Sequence, residues 1–206
     1  MSQPPQAVSP VTDGVAHPVT DPVVMVIRHA EKPTPAQGGT AEQFGVNRHG
    51  QPSARGLTPR GWSRAGALAV RFDHAGQSPD VWRRPARIHA APPTDANHSH
   101  RCVDTAEPIA DRLGVHLHRD HERGQEAALA DEIRASGLDT LVVWDHRNLP
   151  DLLRAFTPID AQVIPDPWPG DRFDLMALLT PEVVAGRSTY RVSILAQDLL
   201  SGDASQ

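Results

Sequence analysis

Cysteine is almost missing from these 206 residues. Cys102 is the only one, which excludes an intrachain disulfide and a cysteine-based metal site. A block of one charge is missing too. The net charge of −5 is spread over both signs without a basic run, which argues against a nucleic-acid-binding surface. No apolar stretch approaches the roughly 20 residues of a membrane span. The first residues lack a basic start followed by an apolar core, so no signal peptide is read and the expected location is cytoplasmic. An acidic chain that binds an anion must gather its cations locally, which suits a small arginine-lined pocket.

The length fits one α/β domain with a sizeable core and is too short for two comfortable ones. Residues 1–21 are rich in Pro, Ser, Thr and Gln without apolar periodicity and read as a flexible tail. Residues 22–200 are expected to form the domain, and 201–206 a flexible end. Apolar runs at Val23–Ile27 and Thr140–Trp144 read as buried strands, with shorter ones at Arg87–Ala91 and Val115–Leu117. Phe173–Leu179 and Thr189–Ala196 are also strand-like. Helical spacing places Trp62, Ala65, Leu68, Ala69 and Phe72 on one face after a Thr58-Pro59 start. A second helix carries Val103, Ala106, Ile109, Ala110 and Leu113, with Ser99 as the expected cap and Gly114 at its end. A third is expected over about 125–135, with Leu129 and Ile133 inward, and a fourth over 148–156. Strands alternating with helices predict a three-layer α/β/α sandwich on a mostly parallel sheet. The polar, Gly/Pro-rich stretch from Thr34 to Gly56 is a long loop, either a partial lid or an insertion.

The chain is organised around Val23-Val24-Met25-Val26-Ile27-Arg28-His29-Ala30-Glu31. Its apolar run stops at an arginine and a histidine, and ligands of open α/β sheets bind outside the carboxyl ends of the strands. Neutral imidazole is a nucleophile that can accept a phosphoryl group, and guanidinium offers planar paired donors to its oxygens. The bland alternative is a strand end whose polar groups pair with nearby carboxylates. The same event recurs at Arg101, in the first turn after the second strand, and at His146, just after Val142-Val143-Trp144. In a parallel sheet these points share one edge.

Strand-Arg28-His29-Ala30-Glu31 resembles the Arg-His-Gly-Glu signature of the histidine phosphatase (phosphoglycerate mutase-like) superfamily, with Ala30 at the usual glycine. Gly56-Leu57-Thr58-Pro59-Arg60-Gly61 is similar to the start of that family's first helix. Ser99-His100-Arg101-Cys102-Val103-Asp104-Thr105-Ala106 resembles its serine, arginine and threonine-alanine block. Leu141-Val142-Val143-Trp144-Asp145-His146 is similar to its late strand ending in the second histidine. The resemblance covers roughly residues 22–156 and implies a phosphoglycerate mutase-like fold with a phosphate pocket of Arg28, His29, Arg101 and His146. It also implies a phosphohistidine on His29, no metal or other cofactor, and a small phosphorylated substrate. Within it, Asp120, four residues before Gly124, is the expected acid, with Glu122 and Glu126 as rivals. Asp145 replaces a usually small residue and could hold His146 charged. Hydrolysis is expected rather than a mutase reaction, while a non-catalytic phospho-ligand-binding module would share every pocket residue.

One rival is spelled out by His116-Leu117-His118-Arg119-Asp120-His121, the His-x-His-x-Asp-His pattern of zinc-dependent metallo-β-lactamase-type hydrolases. Such sites need further histidines well downstream, and none follows His146. Among eleven histidines some clustering by chance is expected.

Overall fold

Val24, Met25, Val26 and Ile27 are each at most 3% exposed because strands flank them on both sides. In the computed structural model, which describes residues 21–34, 45–76 and 81–203, they form strand β1 (Val24–Arg28). Strand β4 (Thr140–Trp144) runs parallel to it, with Val26 opposite Val142. Strand β5 (Leu175–Val184) runs antiparallel on its other side, with Val26 opposite Ala177. A strand with a covered layer on each face has no wet side, so it reads as unbroken apolar sequence instead of an alternation.

With β2 (Arg87–Ala90), β3 (Leu117–His118) and β6 (Arg187–Ala196), the sheet order is β3-β2-β4-β1-β5-β6. Neighbours from β3 to β1 are parallel. The last two strands form an antiparallel hairpin whose turn, Ala185-Gly186, has two positive φ angles (50° and 75°). The helices are α1 (Pro59–Asp73), α2 (Arg101–Leu113), α3 (Glu126–Ser136) and α4 (Leu149–Ala155). The step from β2 to β3 moves outward and the step from β3 to β4 returns across β2. Right-handed crossovers therefore put α2 and α3 on opposite faces, and α1 packs with α2 while α3 packs with α4. The result is the expected mixed α/β architecture, with four parallel strands and the hairpin on one side. None of the described helices is long and apolar enough to cross a membrane.

The first helix starts where its sequence says. Thr58 Oγ1 accepts from the Gly61 N–H at 3.1 Å, with Pro59 as the first helical residue. Gly61 is required by close approach, since a Cβ there would lie 2.5 Å from the Glu31 carbonyl oxygen. The loop leaving the site is thus pressed onto the first turn of α1. Trp62 was expected to face the sheet. It is half-buried and donates Nε1–H to the Val46 carbonyl, packing on the loop before α1. Ser99 does not cap α2. The cap residue is His100, in a helical backbone conformation without a side-chain bond, and Ser99 Oγ faces Arg101 instead. Strand β3 lies two residues later than expected.

The expected tail falls outside the described residues, except for exposed Asp21. Of the expected flexible end, residues 201–203 are described. Residues 201–203 form a turn that Asp203 ties to α1. Buried Arg64 donates to both carboxylate oxygens of Glu31 and of Asp203, and to Gln197 Oε1. Asp203 Oδ2 also accepts from the Leu199 and Leu200 N–H groups. Burial alone would lower the arginine's pKa, but its bonds to Asp203 and Glu31 raise it instead. Removing this shared buried cation leaves the two carboxylates only the more exposed Arg60 as a partner. Arg64→Met is therefore expected to cost about 3–5 kcal/mol in denaturant unfolding, and a loss below about 0.5 kcal/mol would show that the network carries no stability.

Candidate active site

Beyond β1 the chain places His29 in full burial, with its backbone N–H donating to the Trp144 carbonyl at 3.2 Å. Its ring is oriented by one bond, from Nδ1 to the Ala30 carbonyl at 2.8 Å. A carbonyl can only accept, so Nδ1 carries the proton and Nε2 keeps its lone pair. Burial and then the Arg28 charge push this imidazole down to about 3. It stays neutral across the physiological range. Ala30 sits where the resembling signature has glycine, and it is not among the residues with positive φ, so its methyl group is tolerated. Its N–H donates to Thr105 Oγ1, which joins this turn to α2.

Arg28 is 1% exposed and held from one side only. Its Nη1 reaches the carbonyls of Gly170 (2.8 Å), Pro169 (3.2 Å) and Arg172 (3.4 Å), and the Phe173 ring lies 3.8 Å from its guanidinium carbon. Nε and Nη2 are buried without a partner. Burial lowers its pKa to about 10, against the raising effect of Asp145. A fixed cation with vacant, parallel N–H groups is the donor half of an oxyanion site.

His146 stands edge-on to His29, with ring centroids 6.1 Å apart. Asp145, between it and β4, lies 3.3 Å from His146 Nδ1 and 3.5 Å from Arg123 Nε. Burial would raise this carboxyl, but His146 and the Arg147 N–H outweigh it and hold it well below the usual carboxylate range. Arg101 anchors the loop before α1, with Nε on the Gly56 carbonyl at 3.1 Å, Nη2 on the Ala54 carbonyl and Nη1 facing Ser99 Oγ. Three of its five N–H groups are thereby spent, and its charge still acts on His29. The described half of the long loop is thus clamped to α2, with Arg48 paired to Glu107 as a second tie. Lys32 joins the same field: burial and then Arg28 and Arg101 lower its pKa.

Arg28, His29, Arg101 and His146 are therefore brought to one edge of the sheet. Asp120 is not brought with them. It is exposed past β3, the outermost strand, with its carboxylate 3.6 Å from His118 Nδ1. Three strand spacings of about 4.8 Å separate β3 from β1. Glu122 is exposed, and Glu126 is buried with Oε1 accepting from Trp144 Nε1 and the Gly124 N–H. Sequence reasoning missed Arg123, which sits in the segment searched only for carboxylates.

The zinc reading does not survive. Among the described residues the group whose nitrogen and oxygen atoms converge, within 4.8 Å of one another, is His29, Asp145 and His146. His116, His118, Asp120 and His121 do not converge in this way. His121 Nε2 is bound to Glu132 Oε2 at 2.6 Å, while His118 stacks on His89 at 5.0 Å. Cys102 is buried, its thiol pushed up to about 12 by desolvation, and is chemically inert.

No protein-family model matches the sequence, and no curated protein matches it. Among solved structures the chain is similar to the SixA protein of Agrobacterium tumefaciens, named for a phosphohistidine phosphatase activity. Identity is 17%, the match spans 86% of this chain and 99% of that one, and the TM-score is 0.49. It is also similar to a protein histidine phosphatase SixA complexed with tungstate, at 16% identity over 85% of this chain and 97% of that one, again with a TM-score of 0.49.

The buried imidazoles also set a pH dependence of stability. His29 at about 3 and His89 at about 4, the latter lowered by burial and then by His118, stay neutral in the folded state. In the unfolded chain both titrate near 6.5. Below that pH the unfolded state binds protons the folded state refuses, so stability is complete above about 6.5 and falls steadily toward pH 4. Denaturant midpoints at pH 7.5, 6.0 and 5.0 should decline in that order, and equal midpoints would contradict the burial of two neutral imidazoles.

Proposed function

We propose that the protein is a phosphatase that hydrolyses phosphomonoesters through a phosphohistidine on His29. The observation that carries this reading is the pairing of a neutral Nε2 nucleophile with the vacant Nε and Nη2 donors of Arg28. His29 Nε2 attacks phosphorus in line with the ester oxygen, the N–P bond forms as the P–O bond breaks, and the leaving oxygen takes a proton. Water then attacks phosphorus and gives a proton back to the group that protonated the leaving oxygen, the P–N bond breaks, and phosphate departs with the water's oxygen. Charge spread over the equatorial oxygens in both steps is met by Arg28, by the field of Arg101 and by a donor from His146. Asp120 stands beside His118, away from these groups, which favours His146 as the group that passes the leaving-group proton.

Arginines supply the charge stabilisation here, so turnover of 4-nitrophenyl phosphate is expected to survive EDTA unchanged. Activity abolished by EDTA and restored by zinc would overturn the mechanism. Saturable phosphate binding with no turnover of any ester would favour the binding-module reading.

A further inference from the structure

The Asp145 carboxylate is gripped from both of its oxygens. Oδ1 accepts from the Arg147 N–H at 3.1 Å and lies 3.3 Å from His146 Nδ1. Oδ2 lies 3.5 Å from Arg123 Nε. Arg123 is itself pinned, with Nη1 donating to the Pro92 carbonyl at 3.0 Å. His146 Nδ1 and Arg123 Nε are both buried, and neither reaches a hydrogen-bond partner among the described residues. The carboxylate thus stands between two buried donors that nothing else satisfies. Contacts of this kind are loose in a free active site and tighten once substrate is bound.

The same carboxylate comes within 4.8 Å of a nitrogen of His29 as well as of His146. It is nevertheless the wrong group to hand over a proton. Despite its burial Asp145 is held ionised by His146 and the Arg147 N–H, and an ionised carboxylate only accepts. Asp120 and Glu122 are exposed, and Glu126 is bound to Trp144. An imidazolium is the donor that remains. A carboxylate at its Nδ1 stabilises the charged ring and fixes Nε2 as the nitrogen that gives up its proton.

We propose that Asp145, fixed through its other oxygen by Arg123, is a positioning residue that makes His146 the acid of the first step and the base of the second. This deepens the phosphatase reading and rests on it. As His29 Nε2 bonds to phosphorus, the P–O electron pair moves to the leaving oxygen, which takes the Nε2 proton of His146. His146 is then neutral, with its remaining proton on Nδ1 toward Asp145. The attacking water returns a proton to His146 Nε2 while the P–N pair goes back to His29, and the site is restored.

Two aryl phosphates of similar shape separate this role from a purely structural one. A phenol holds its proton to a pKa of about 10, as tyrosine does, so phenyl phosphate needs an acid when its P–O bond breaks. The nitro group lets 4-nitrophenoxide leave with little help. In Asp145→Asn the ratio of kcat/KM for phenyl phosphate to that for 4-nitrophenyl phosphate is expected to fall about thirtyfold, a large part of the roughly hundredfold or more that a positioned acid contributes. Asparagine keeps the shape and an oxygen for the Arg147 N–H, and damage to packing alone would slow both esters together. An unchanged ratio would overturn the proposal while leaving a phosphatase. Turnover of neither ester by the wild-type chain would instead overturn the phosphatase reading, and this proposal with it. Should the variant fail to fold, ¹⁵N NMR of the wild-type chain decides. When the His146 ring is neutral its proton is expected on Nδ1, and a proton on Nε2 would overturn the assignment.

Discussion

His29→Ala is expected to lower phosphomonoester turnover by about a millionfold, the scale on which enzymes lose activity when a covalent nucleophile is removed. The reason lies in the surroundings as much as in the ring. The neighbouring carboxylate, Asp145, is ionised, and its charge repels a phosphoryl group. Phosphate affinity should fall only a few-fold in the same variant, since Arg28 keeps its vacant donors and Arg101 its position. That combination distinguishes loss of a nucleophile from collapse of the pocket. A variant keeping a hundredth of the activity would show that the imidazole is not the attacking group.

Arg28→Gln is expected to reduce kcat by about a hundredfold to a thousandfold, the effect of deleting one preorganised donor to transition-state charge. Lysine should not rescue it. Arg28 spends Nη1 on the 170 carbonyl and its neighbours while Nε and Nη2 face away, and an ammonium cannot divide itself between two directions. A second readout follows from electrostatics. Arg28 is the second largest cause, after burial, of the depressed His29 pKa. In the variant, NMR titration of His29 should move upward yet stay below 6.5, because burial persists. An unchanged titration would mean that the two groups are not neighbours.

The parts of the fold that one side chain or one local run determines could be read in advance. Val24–Ile27 and Thr140–Trp144 announce buried strands because neither has a wet face, and Thr58-Pro59 announces a helix start because its cap is built from adjacent residues. The placement of Arg28 and His29 at the strand's end was legible for the same reason: an apolar strand cannot carry them any deeper. What was hidden depends on long-range contact. Arg28 is anchored by carbonyls 141 to 144 residues away, and no side-chain pattern encodes a carbonyl's direction. Ser99 has a capping side chain but the wrong backbone position. The His-x-His-x-Asp-His stretch has the right letters, yet edge-strand geometry turns its imidazoles toward one another and toward Glu132. Asp203 lies beyond the last strand, where composition suggests a loose end, and its tie to the distant Arg64 is what no local pattern announces.

One measurement bears most directly on the account: rapid mixing with a ³²P-labelled phosphomonoester, quenching at alkaline pH, and mapping of the label. The expected result is a transient, acid-labile phosphoramidate on the peptide containing His29, formed and lost at rates compatible with turnover and absent from His29→Ala. An enzyme that turns over its substrate while residue 29 never carries label would contradict the account at its centre.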